Sequence, residues 1–232
     1  MKAILALSGY GDVNTRTLSF IEHEVELSGK KDPNVIYLPT AGFDGPCEDD
    51  SGYKGFYEKG YRVNVLRLSE YEKGDKELEK LILSADIICA GGGNLPRILD
   101  EFKRTGADEL IKQAYENGCI LAGSSAGAMC WFERGYDSCG LDGSYMFVQC
   151  LGLIPGYCFS PHFNGGTWYT FAEAVKQQKL PGIAAEDGAA VQYKDGVFSI
   201  VKEMEDRNVY LFHPDNGHQK VNLTKEAPEL NK

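Results

Sequence analysis

Leu121-Ala122-Gly123-Ser124-Ser125-Ala126-Gly127-Ala128-Met129 is the stretch on which the fold turns. An apolar run that begins at Cys119 ends in it, and the pattern G-x-S-x-G follows at Gly123, Ser125 and Gly127. A strand that turns abruptly into a helix passes through a cramped backbone, and small residues on both sides let it do so while lifting one side chain into the open. Here that side chain is Ser125, whose hydroxyl becomes a candidate nucleophile. The following helix would turn its positive end, and the N–H groups near Ala126, toward an oxyanion forming beside Ser125. The same letters also spell an ordinary strand-turn-helix junction, so the neighbours must decide between the two.

Outward from this stretch, short apolar runs alternate with longer amphipathic segments. Ala3–Leu7, Val35–Leu38, Val63–Leu66, Ile87–Ala90 and Ile120–Gly123 read as strands. Thr17–Leu27, Lys76–Leu83 and a region from Leu95 to Asn117, broken near Gly106, read as helices. Runs this continuous suit parallel strands covered on both faces. Beyond the Ser125 helix the pattern loosens through Tyr136–Leu153, resumes near Tyr157–Ser160, and passes through a helix at Thr170–Gln178. Ala189–Tyr193, a Lys194-Asp195-Gly196 turn and Val197–Val201 then form a hairpin, followed by a short strand at Val209–Phe212. With no linker and no internal repeat, the expectation is one α/β domain over residues 1–232: a doubly wound, mostly parallel sheet with a C-terminal β-hairpin. The polar tail from Val221 is expected to fray.

A formal net charge of −10, with no Lys/Arg cluster, argues against a nucleic-acid partner, because phosphate binding needs a basic face. The start, Met1 to Ser8, has the apolar character of a signal peptide but is short and lacks a clear cleavage site, so it reads as a first buried strand. No stretch approaches the ~18 apolar residues of a membrane span. Seven cysteines without a C-x-x-C pair suggest reduced thiols and a cytoplasmic protein. Neither H-E-x-x-H nor zinc-ligand spacing occurs, so no metal and no cofactor are expected.

In open parallel sheets ligands gather at the carboxyl ends of strands. After Ile87–Ala90 comes Gly91-Gly92-Gly93-Asn94, a glycine loop whose N–H groups, those of Gly92 and Gly93 among them, can approach a substrate without obstruction; a plain tight turn with Asn94 as helix cap is the alternative. After Tyr157–Ser160 comes Pro161-His162-Phe163-Asn164-Gly165-Gly166. A serine nucleophile needs a base, and imidazole titrates near the working pH. Of the four histidines, His23 sits among Glu22, Glu24 and Glu26 on what reads as a solvated face, and His213 and His218 flank a turn, which leaves His162. After Ile183–Ala185 come Glu186 and Asp187, either of which can orient a base histidine. Asp137 and Asp142 are further candidates for the acid.

Taken together, Gly-Gly-Gly-Asn at 91–94, Gly-x-Ser-Ala-Gly-Ala at 123–128 and Pro-His-Phe at 161–163 resemble the dipeptidase E (aspartyl dipeptidase) family of serine peptidases, related to cyanophycinase. The resemblance implies a doubly wound α/β fold similar to class I glutamine amidotransferases. It implies Ser125 as nucleophile, His162 as general base, Glu186 as third member with Asp137 in reserve, and an oxyanion hole from the glycine loop and the N–H of Ala126. Asn94, Asn164 and Trp168 are the candidate substrate contacts, and the implied partner is a short peptide, with the protein a monomer or a homodimer that binds neither nucleic acid nor membrane. In that family an arginine after the catalytic histidine pairs with the carboxylate of an amino-terminal Asp; the segment from Phe163 to Glu173 has no arginine and no lysine, so a strict Asp preference is not expected. Two rivals remain: an α/β-hydrolase-type esterase using Ser125, Asp187 and His213 or His218, and a non-catalytic domain binding a small acidic or phosphorylated ligand.

Overall fold

The computed structural model describes residues 1–9, 17–48, 50–163, 168–203, 205–216 and 220–231. The first half runs β1 (Ala3–Leu7), α1 (Thr17–Ser28), β2 (Val35–Leu38), α2 (Ser51–Glu58), β3 (Val63–Val65), α3 (Lys76–Leu83), β4 (Ile87–Ala90), α4 (Leu95–Thr105), α5 (Ala107–Glu116) and β5 (Ile120–Ser124). After it come α6 (Ala126–Met129), β6 (Phe132–Asp137), β7 (Met146–Gln149), β8 (Ile154–Ser160), α7 (Trp168–Gln178), β9 (Gly182–Ala185), β10 (Ala189–Lys194), β11 (Val197–Lys202), β12 (Val209–Phe212) and β13 (Lys220–Asn222). No described helix is long and apolar enough to cross a membrane.

The apolar runs become the centre of a seven-stranded sheet ordered β11-β10-β1-β5-β4-β2-β3, in which β1, β5, β4, β2 and β3 are parallel. All five residues of β1 and all four of β2 and β4 are buried, as strands covered on both faces must be. Helix boundaries follow local chemistry. Asp75 caps α3 by accepting from Glu77 and Leu78 N–H, and Gly106, at φ 76°, separates α4 from α5. The hairpin turns at Asp195 (φ 49°) and Gly196 (φ 86°), the positive pair that a two-residue turn with the right twist requires.

The expected α/β fold with a mostly parallel main sheet and a C-terminal hairpin holds, and three details of the expectation are corrected. The loosely patterned second half builds a six-stranded sheet of its own, β13-β12-β9-β8-β6-β7, in which only β6, β8 and β9 are parallel neighbours. The tail does not fray: β13 pairs with β12, Leu223, Ala227 and Leu230 are buried, and the Asn231 carboxamide bonds the Phe198 backbone. On α1, Glu22 and Glu26 are exposed, but Glu24 is wholly buried and His23 Nε2 lies 2.7 Å from Gln192 Oε1. Residues four apart share a helix face, so Glu24 falls with Phe20, which packs on Leu5, Leu7 and Ala190, and away from its acidic neighbours.

Candidate active site

Six strand ends converge: β1, β4 and β5 from the first sheet, and β6, β8 and β9 from the second. The parallel registers Leu7↔Ser124 and Ala90↔Gly123 bring the ends of β1 and β4 to either side of the β5 terminus. Ser125 follows directly at φ 55° and ψ −118°, a left-handed conformation that a residue with a Cβ adopts only when its surroundings force it. Its N–H donates to the carbonyls of Leu7 and Ser8, both at 3.1 Å. Gly127 cannot be replaced cheaply, because a Cβ there would run into the Ala90 carbonyl. The helix expected after Ser125 is a single turn of four residues. So short a helix has little dipole, and any oxyanion stabilisation falls to individual N–H groups. Ala126 stands at its first position, where a backbone N–H has no intrahelical partner.

The glycine loop is tethered at both ends, Gly91 N–H to Leu38 O at 3.0 Å and Asn94 N–H to Ala41 O at 2.8 Å. Gly92 and Gly93 span the gap, and a Cβ on Gly92 would stand 3.3 Å from Ser125 Cβ, so the loop lies alongside the serine. The Asn94 side-chain oxygen accepts Arg97 N–H at 2.8 Å and caps α4. Of the other expected contacts, Asn164 lies outside the described residues. Trp168 opens α7, and its side chain is likewise outside what is described.

His162 leaves β8 at φ 53°, and its Nδ1 lies 2.7 Å from Asp187 Oδ1. With Nδ1 engaged, Nε2 is the nitrogen available to a nucleophile. Glu186 is not the imidazole's partner. Its Oε2 accepts from Asn208 N and Nδ2 at 3.0 and 3.2 Å, and its Oε1 accepts from the Tyr210 hydroxyl at 2.9 Å. The two neighbouring carboxylates thus take different partners, Asp187 the imidazole and Glu186 the Asn208 and Tyr210 groups. Burial and the bond to Glu186 push the Tyr210 phenol up to about 12.

Topology also ranks the histidines. β8 and β9 are parallel, with Ser160 opposite Ala184, so His162 and Asp187 emerge at one end. β12 is antiparallel to β9, with Phe212 opposite Gly182, so His213 follows β12 at the other end. Four strand residues separate the two ends, roughly 10–13 Å. His218 lies outside the described residues.

Asp137 ends β6 beside the parallel strand β8 and thus comes close to His162. Its Oδ2 lies 3.4 Å from Leu95 N, and its Oδ1 accepts Ser138 N–H. Burial pushes its carboxyl up, against these two donors and the His162 charge. Asp142 bonds Ser144 within its own exposed loop.

Two contributors escaped the sequence reading. Ser8, fully buried, accepts His162 N–H on its Oγ at 2.6 Å and lies 2.7 Å from Ala185 O and 3.2 Å from Asp187 Oδ1. Gly9 packs so close that a Cβ would stand 2.6 Å from Asp187 Oδ1 and 2.8 Å from His162 Cε1. The signal was available: both follow the first apolar run, the position that singles out the other strand-end residues.

A family model described as Peptidase family S51 matches residues 4–201. A Bacillus subtilis (strain 168) protein described as uncharacterized peptidase YgaJ is 30% identical over 218 residues, covering 90% of this chain and 91% of that protein. Among solved structures, a peptidase from an acI-B1 Actinobacterium matches with a TM-score of 0.73 at 18% identity, over 97% of this chain and 95% of that one. A putative peptidase E protein from Listeria monocytogenes EGD-e matches with a TM-score of 0.65 at 20% identity, over 87% and 98%. At these identities the two structures speak to the fold alone.

Proposed function

Because the chain belongs to peptidase family S51, we propose that it hydrolyses short peptides through an acyl-enzyme on Ser125, with residues 1–232 acting as one peptidase domain. The observation that carries this reading is the His162–Asp187 pair at 2.7 Å, held by Ser8 at the end of β1, whose carbonyl also accepts the N–H of the strained Ser125 at the end of the neighbouring β5. His162 is the general base, and Asp187 takes the place first expected of Glu186.

Ser125 Oγ attacks the scissile carbonyl carbon while His162 Nε2 takes the hydroxyl proton. Asp187 stabilises the imidazolium through Nδ1–H. The tetrahedral oxyanion is met by N–H groups of Ala126 and of the loop at Gly92 and Gly93. As it collapses, the C–N bond breaks and His162 returns the proton to the leaving amine. Water then attacks the ester, giving its proton to His162, which protonates Ser125 Oγ as the acid product leaves. A fluorophosphonate tests the premise: it should label Ser125 covalently in the wild type and leave Ser125→Ala unmodified. Absence of labelling at high reagent concentration would favour a non-catalytic binding domain.

The substrate reading is a peptidase with weak preference for an amino-terminal Asp. Among the described carboxylates, Asp137 and Asp187 flank His162, and no arginine follows His162 up to Glu173. Arg134 engages Gln178 instead, and Lys220 lies over the Tyr210 ring at 3.9 Å. A guanidinium binds a carboxylate through two parallel hydrogen bonds that a lysine does not reproduce. In a panel of X-Leu dipeptides with X as Asp, Asn, Ala, Phe and Lys, kcat/KM for Asp should fall within about tenfold of the neutral residues. A preference above roughly a hundredfold would mean that a cation, with Lys220 the first to mutate, fills the pocket.

A further inference from the structure

We propose that Ser8 is a positioning residue that sets His162 and Asp187 as one unit, an inference that rests on the peptidase reading of the site. Its side chain is fully buried, and each of its described polar contacts leads to the His162–Asp187 pair or to the β9 end beside it. Its Oγ accepts the His162 backbone N–H at 2.6 Å. Its one proton has two acceptors in reach, Ala185 O at 2.7 Å and Asp187 Oδ1 at 3.2 Å, the second being the same oxygen that meets His162 Nδ1. Its backbone is fixed as well: Ser8 N–H donates to Ala189 O at 3.1 Å, and its carbonyl accepts Ser125 N–H at 3.1 Å. His162 needs such a hold because φ 53° is unfavourable for a side-chain-bearing residue, and a strained conformer persists only where neighbours over-determine it. Two consecutive amides supply the clamp, His162 N–H on Ser8 Oγ and Phe163 N–H on Ala185 O at 3.0 Å. Ala185 O thus accepts from Phe163 while lying within reach of the Ser8 hydroxyl, and Ser8 ties the nucleophile's strand end to the base and the acid together.

The test compares Ser8→Ala and Ser8→Cys, which remove a strong hydrogen-bonding oxygen, with Ser8→Thr, which keeps it. Ser8→Ala and Ser8→Cys should lower kcat for a dipeptide by about a hundredfold with KM changed less than about threefold, since misalignment by a fraction of an ångström acts on turnover. The His162 imidazole, titrated by NMR, should ionise at lower pH in both, because a loosened Asp187 contact stabilises the imidazolium less. Its far-downfield Nδ1 proton should move upfield. Ser8→Thr should recover most of the rate and the wild-type titration. Turnover within about threefold of wild type in Ser8→Cys, or an unmoved His162 titration, overturns the proposal, as does equal damage from Thr and Cys, which would make volume the cause. Should Ser8→Ala not fold, the Cys and Thr pair decides. If the wild type neither cleaves peptides nor takes up fluorophosphonate, it is the peptidase reading that has failed, and the NMR titration still reports whether Ser8 holds the pair.

Discussion

Asp187 at the end of β9 and Glu24 on the inner face of α1 are both carboxyl groups drawn out of water, and the chain treats them in opposite ways. Asp187 is partly exposed and meets an imidazole brought to it by β8 and a hydroxyl in reach from β1. Glu24 is completely buried, and neither of its oxygens has a hydrogen-bond partner among the described residues. Burial alone pushes its carboxyl up to about 8, so it holds its proton at neutral pH. A carboxylate keeps its charge inside a protein only where partners are delivered to it. The strand ends do this for Asp187, whereas the apolar ground between α1 and the Leu5, Leu7 and Ala190 cluster does not do it for Glu24.

The largest effect should come from the nucleophile and its base. Ser125→Ala and His162→Ala should each lower turnover by about 10⁵–10⁶, with the double variant hardly worse, if the group acts as a unit. His213→Ala should stay within about threefold of wild type. Retained activity in His162→Ala combined with loss in His213→Ala would move the base to the other end of β9 and reverse the assignment.

Next in size is the acid. Asp187→Asn should cost about 10⁴ in kcat, because an amide at that position offers Nδ1 the wrong hydrogen-bond partner. Glu186→Gln should leave kcat within about tenfold and instead lower stability by ~1–3 kcal/mol, through weaker bonds to Asn208 and Tyr210. If Glu186→Gln proves the more damaging to turnover, the acid belongs to Glu186 and the side chains rearrange when substrate binds.

Most of the first sheet was legible because its information is local. Continuous apolar runs at 3–7, 35–38 and 87–90 admit only buried strands, and the Asp75 cap, the Gly106 break and the Asp195-Gly196 turn each act within a few residues. Ser125 was legible for the same reason, since the small residues that permit its conformation are its own neighbours. The second sheet was not: β7 is a short edge strand, exposed at both ends and half-buried between, without the alternation that marks a strand. The choice between Glu186 and Asp187 was open for a different reason. It depends on which distant groups each side chain meets, His162 after β8 for Asp187 and Asn208 and Tyr210 for Glu186, and no residue type near either carboxylate encodes those partners. For Ser8 the place at a strand end was legible but its role was not, because its side-chain partners lie more than 150 positions away.

The smallest effect concerns Glu24, and it is one of slope. An acid with a native pKa of about 8 and an unfolded value near 4.5 binds more protons folded than unfolded between those limits. Stability from this group is therefore full below about pH 4.5, falls as pH rises through the window, and levels off above about 8. The slope approaches ~1.4 kcal/mol per pH unit at its steepest, tenfold in the folding equilibrium. Glu24→Gln keeps the shape and removes the titration. Urea unfolding at pH 5, 6, 7 and 8 should show the variant gaining on the wild type at each step, by a few kcal/mol in all, with m unchanged. A stability difference that stays constant across the four pH values would mean that Glu24 finds a partner or water in solution, and the contrast with Asp187 would then be one of degree.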